Sequence, residues 1–184
     1  MEDKNRFPAA AAAACAATVG LTAKPWVLKS GERVVDRPNS HLHAGVVALL
    51  PAALAAMESH GRLFLVESHD FGRVIGETVC VATHGGDQVV FAHREGRRGL
   101  TRFVKNRAAE PTSRVTCILK AGDTGEEFVL VTAFVGAPAE PEPWDKNLRD
   151  PAAKRKSCEF WSSHALVWGS EPIVPGTETA RCPW

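Results

Sequence analysis

The chain lacks the features that would assign a chemistry at once. Its five cysteines, Cys15, Cys80, Cys117, Cys158 and Cys182, are odd in number and widely spaced. They form no Cys-x-x-Cys pair and no clustered His/Cys spacing, which argues against a disulfide framework and a zinc site of the usual kind. Gly72 to Gly76 lacks both the Lys-Ser/Thr ending of a nucleotide P-loop and the third glycine of a dinucleotide fingerprint. No Gly-x-Ser-x-Gly turn presents a nucleophile, so no serine or cysteine triad is indicated. No stretch approaches the roughly 20 strongly apolar residues of a membrane span. The run Ala9 to Ala17 is alanine rather than leucine and follows a segment without net positive charge, unlike a signal peptide. A cytoplasmic, reducing setting is expected, with no metal, no cofactor and no membrane. Charge of one sign is missing too: 22 Lys+Arg against 21 Asp+Glu leave +1, which does not favour nucleic acid.

Net charge hides segregation, however. Between Arg94 and Arg107 stand six Lys/Arg and one Glu, whereas Glu126 to Asp145 carries five acids and no Lys/Arg. With 184 residues, 45% hydrophobic and 23% charged, the composition is that of an ordinary globular protein, most simply one domain, 25–184, preceded by an alanine-rich segment, 1–24. That segment reads as a helix closed by Gly20 and by Lys24-Pro25.

Periodicity sets the expected elements. Trp26 to Gly31 and Glu32 to Val35 suggest a short hairpin, and Asn39 or Ser40 an N-cap. From His41 to His60, Leu42, Val46, Leu49, Leu50, Leu54 and Met57 recur at helical spacing, with Pro51 expected to kink or divide the helix and Gly61 to end it. Arg62 to Asp70 begins as a compact apolar run. Glu77 to Thr83 and Gln88 to Ala92 read as one hairpin about the His84–Asp87 turn, and Arg114 to Lys120 and Phe128 to Val135 as a second about the 121–125 turn. Cys80 and Cys117 fall inside these strands, where a small buried hydrophobe is expected. The prolines of 137–144 forbid helix, so this segment is a tail or a strap, and the C-terminal tryptophans should bring back a helix over Ser157 to Val167. The expected fold is therefore α+β: a helix on a four-stranded antiparallel meander (core about 40–136), closed by a Pro-rich strap and C-terminal helix (137–184).

This order, a helix before a four-stranded meander with a basic segment and a polar residue late in the last strand, resembles the small ribonuclease fold shared by barnase, EndoU, colicin-type tRNases and RelE-like toxins. The resemblance implies RNA lying across the sheet and metal-independent cleavage that leaves 2′,3′-cyclic phosphate ends. Such chemistry needs a base near the 2′-hydroxyl, a cation for the charge developing on phosphate, and an acid for the leaving 5′-oxygen. Arg102, Lys105 and Arg107 are the candidate cations, with Arg97 and Arg98 beside them on the basic segment. His69, or His43, is the candidate proton-transfer group. Thr132 matches the late-strand hydroxyl of the resemblance and is expected to bond the phosphate. The basic stretch Arg94–Arg107 is expected to be a long connection beside the sheet, between the two hairpins, tied to the core by Leu100, Phe103 and Val104, Phe103 itself reading as core or as a base-stacking platform. The chain shows no Glu, Arg and His at barnase-like strand positions and no EndoU-like pair of histidines.

Two other readings fit the same residues. One is a non-catalytic RNA- or nucleotide-binding regulatory module using the basic segment; the other is an interaction protein that docks a partner through 138–145. A toxin-like ribonuclease also implies an inhibitor or antitoxin protein as partner.

Overall fold

The computed structural model describes residues 26–184 apart from Asn39, Ala44, Thr124 and Gly125. The expected alanine-rich helix over 1–24 and an N-cap at Asn39 lie outside the described residues. In chain order the elements are β1 (Trp26–Val27), β2 (Arg33–Val35), β3 (His41–Leu42), a 3-10 turn (Val47–Leu49), α1 (Leu50–Ala55), β4 (Phe64–Asp70), β5 (Gly76–Thr78), β6 (Cys80–Ala82), β7 (Val89–His93), β8 (Leu100–Val104), β9 (Glu110–Thr112), β10 (Arg114–Ala121), β11 (Glu127–Val135), α2 (Pro151–Ser163) and β12 (His164–Val167). None of the described helices is long and apolar enough to cross a membrane.

The first sheet runs β1-β2-β11-β10-β4, with β3 also beside β11. Its centre is the β10–β11 hairpin, registered from Val115 opposite Val135 to Ala121 opposite Phe128, with a bulge at Ile118/Leu119. Val115, Cys117 and Leu119 share one buried face, Arg114 and Lys120 are exposed, and Thr116, on the other face, is buried too, its hydroxyl bonded to the Gly136 carbonyl and to Ser68. Burial pushes the Cys117 thiol up to about 12, because a thiolate has no solvation there. Leu50, Ala53 and Leu54 of α1 close this core over Leu65, Leu119 and Leu130. The β1–β2 hairpin forms as expected, and its turn needs Gly31, whose φ is +101°.

The second sheet runs β6-β12-β8-β7, and a two-stranded ladder pairs β5 with β9. One of its two core clusters is aliphatic, Val81, Val104, Ala165 and Val167; the other is rich in rings, with Phe103 and Trp161 buried and Phe160, Trp168 and Trp184 packed against them.

The expected α+β architecture is thus overturned. The described chain is mostly β, with twelve strands in three sheets and helices of 6 and 13 residues. Four expectations fail for identifiable reasons. The helix over His41–His60 shrinks to α1, because His41 and Leu42 pair with Thr132 and Ala133 of β11, and Pro51 stands in the first turn of α1, the helical position proline tolerates. The turn at His84–Asp87 forms, with the His84 amide bound to the Asp87 carboxylate at 2.8 Å, yet the strands flanking it part company: β6 pairs β12 and β7 pairs β8. The basic stretch is not a connection beside the sheet, since Leu100–Val104 is strand β8. The C-terminal helix starts earlier than expected, where Asp150 accepts from the Ala152 and Ala153 amides, and its expected last turns are strand β12.

The segment 137–144 is a strap. The Trp161 indole donates to the Glu140 carbonyl at 2.9 Å and the Ser157 hydroxyl to the Pro141 carbonyl at 2.6 Å.

Candidate functional site

The residues singled out in the sequence divide between the sheets. On the first sheet, His69 pairs with Val115 across β4 and β10 and lies edge-on to Phe71, ring centroids 4.7 Å apart. Thr132 donates to the His41 carbonyl at 2.6 Å, and the His43 ring lies 5.7 Å from that of Phe134.

On the second sheet, Phe103 has no exposed surface and meets Trp168 edge-on. Arg102 gives Nη1 to Thr83 Oγ1 at 3.0 Å and to the His164 carbonyl at 2.8 Å. Lys105 lies 4.4 Å over the Trp168 ring and 3.4 Å from Glu178. Arg107 pairs with Asp87 at 3.3 Å and with Glu110. Arg97 and Arg98 differ from these. They stand exposed in the turn between β7 and β8, with no carboxylate within 4 Å among the described residues.

That turn opens onto a groove of about 550 Å³ bounded by β7–β8, the strap, α2 and the C-terminal stretch. His93 ends β7 and lines it, together with Gly99, Trp144, Lys154, Cys158 and Trp184. His93 is held from several directions. Its amide donates to Thr177 Oγ1 at 3.0 Å, its carbonyl accepts from the Val174 amide at 2.9 Å, and its Nδ1 is 3.1 Å from the Gly99 carbonyl. A carbonyl can only accept, so Nδ1 carries the hydrogen and Nε2 keeps the lone pair.

The groove walls are indoles. Trp144 lies so close over Gly99 that a Cβ there would sit 1.9 Å from its Cγ, and glycine is the one residue that fits. Beneath it the Glu142 carboxylate binds the Arg94 guanidinium, side chains 9% and 12% exposed. Burial raises the Glu142 pKa, and the Thr101 hydroxyl, Arg94 and the Trp144 indole pull it back. Even so, Glu142 Oε1 and Trp144 Nε1 are both buried without a partner in hydrogen-bond geometry. Trp184 stands edge-on to Phe91 at 5.1 Å, brought there by a stretch whose Thr179 bridges Phe91 of β7 and whose Ile173 bridges Arg94 just past it.

The rims are cationic. Lys154 and Arg155 are exposed on α2 and, like Arg97 and Arg98, have no ion-pair partner among the described residues. A shallower depression of about 450 Å³ along α2 continues the groove past Lys154, Arg155 and Glu159. No acidic side chain is among the described residues that line the main groove, so the arrangement suits an anion carrying a flat apolar body.

Sequence reasoning found the cationic turn but missed His93, Lys154 and the tryptophan walls. The one signal available was that His93 immediately precedes the basic stretch. Comparison with known proteins returned no matching family model, no matching curated protein and no matching solved structure.

Proposed function

We propose that the protein binds single-stranded RNA in the groove of the second sheet and cleaves it without a metal, leaving 2′,3′-cyclic phosphate ends. Trp144 and Trp184 offer stacking faces to bases, and Arg97, Arg98, Lys154 and Arg155 attract the phosphates on both sides. His93 Nε2 takes the proton of a ribose 2′-hydroxyl; that oxygen bonds to the adjacent phosphorus as the P–O5′ bond breaks. Lys154, on the facing wall, gives a proton to the leaving 5′-oxygen. The observation that carries this reading is the His93–Gly99 hydrogen bond, which leaves a lone-pair nitrogen on an imidazole lining an anion-friendly groove. A ribonuclease of this kind needs restraint, so an inhibitor or antitoxin protein covering the groove is part of the proposal.

The test is incubation with RNA in EDTA followed by end-group analysis. Cyclic phosphate ends that disappear in His93→Ala, while RNA binding persists, are the expected result. Binding without cleavage in the wild type would instead favour the second reading, a non-catalytic RNA-binding module. That reading draws on a different observation: the indole walls and cationic rims suffice for stacking and charge, and no second imidazole or acidic side chain is among the described residues lining the groove. A docking role for 138–145 has less to draw on, because its Glu140, Pro141, Glu142 and Trp144 contacts are made within the chain.

A further inference from the structure

Three arginines among the described residues are partly buried: Arg94, Arg102 and Arg107. Arg94 is paired with Glu142, and Arg107 with Asp87 and Glu110. Among the described residues Arg102 alone of the three has no carboxylate within 4 Å. Its Nη1 is held by two neutral acceptors, the Thr83 hydroxyl and the His164 carbonyl, and no other described protein acceptor meets Nη2 or Nε. A cation drawn out of water is ordinarily compensated by an anion, because desolvation is costly otherwise.

The guanidinium, which feels Asp87 only at longer range, opens into its own cavity. Across the β7–β8 ladder Arg102 stands opposite Phe91, and the two line a space of about 240 Å³ with Trp161 and Trp184 as further walls and Ser162 and Cys182 among its polar residues. Trp184 also walls the main groove, so the two spaces lie on either side of one indole.

We infer that the Arg102 cavity is an anion subsite that takes the phosphate next to the nucleotide held in the main groove. This rests on the RNA reading above and adds a second, adjoining contact. The free Nη2 and Nε donors present the fork that grips two phosphate oxygens, and the neutral acceptors on Nη1 fix its direction without cancelling its charge. Trp184, shared by both spaces, would stack on the base between the two phosphates.

The experiment compares a 5′-phosphorylated RNA dinucleotide with its unphosphorylated counterpart, and follows the Arg102 Nε–Hε resonance during titration with inorganic phosphate. Wild-type protein is expected to bind the phosphorylated form about tenfold more tightly, with a saturable shift of the Arg102 signal. Because Arg102→Gln removes bonds within the fold, Ser162→Glu is the cleaner variant. Ser162 is exposed on the last turn of α2, and a carboxylate there neutralises Arg102 while its Thr83 and His164 bonds remain. The tenfold ratio should fall to about one. Equal affinities in the wild type, or a ratio untouched by Ser162→Glu, would overturn the subsite. A phosphate-induced shift at Arg102 with neither dinucleotide bound would sink the RNA reading while upholding the anion site.

Discussion

The two main sheets solve the same packing problem with different residues. The first is filled by aliphatic side chains: Leu50, Leu54, Leu65, Leu119 and Leu130 are fully buried around α1 and the β10–β11 hairpin. The second carries a small aliphatic cluster, Val81, Val104, Ala165 and Val167, and a larger one built on rings, with Phe103, Trp161, Phe160, Trp168 and Trp184 gathered about short strands. Aliphatic chains interdigitate and close; large flat rings with a polar edge need straps laid over them and leave grooves where the slabs do not meet. All three cavities described above border the second sheet or the helix that follows its strap. The candidate residues follow the same division. His69 and Thr132 are engaged within the first sheet, and the accessible cations flank the second.

The contrast can be broken most severely at Trp161. Trp161→Ala removes the one buried indole of the second core and its bond to the Glu140 carbonyl, and should cost about 3–5 kcal/mol in denaturant unfolding, with loss of RNA binding. Leu130→Ala in the first core should cost a similar 2–5 kcal/mol, yet spare the affinity of the protein that remains folded.

Next is the ion pair under the groove. Glu142→Ala leaves Arg94 buried with only its longer 3.8 Å contact to Glu171 and should cost about 3 kcal/mol, whereas Arg62→Ala, at the exposed pair with Glu67 on the first sheet, should cost under about 1 kcal/mol. The pH dependence has a definite sign. Burial raises the folded pKa of Glu142 above its ordinary 4.5, so the folded state favours the protonated acid. Stability from this group is present at low pH and is lost as pH rises from about 4.5 through the folded pKa. Unfolding measured from pH 4 to 8 should therefore show a steeper decline in wild type than in Glu142→Gln.

A smaller change sharpens the comparison at the groove itself. Gly99→Ala drives a methyl into the Trp144 ring and should cost about 1–3 kcal/mol while weakening RNA binding through the displaced indole. Least costly are Arg97→Ala and Arg98→Ala. Each should leave stability within about 0.5 kcal/mol and lower the slope of log affinity against log salt by about one.

Much of the first sheet was legible in the sequence. The β-branched and apolar runs Arg114–Lys120 and Phe128–Val135 on either side of a Gly-containing turn give β10 and β11, and glycine gives the β1–β2 turn. The second sheet was not, because its pairings are remote: Ala82 meets His164 and Leu166 meets Phe103. β12 has three buried residues in succession, which carries no period that separates strand from helix. β8 read as a loop because its cations outweighed Leu100, Phe103 and Val104. The groove was illegible for the same reason as the sheet. His93, Trp144, Lys154 and Trp184 belong to four separate stretches and acquire meaning as neighbours only once the strap and the C-terminal stretch are laid over β7 and β8.

The most direct measurement follows side-chain resonances while a single-stranded RNA oligonucleotide is titrated into the protein. The His93 imidazole and the Trp144 and Trp184 indoles are expected to shift saturably, with His69 and Thr132 unchanged. Shifts at His69 and Thr132, with the groove residues silent, would move the working surface to the first sheet and contradict the account.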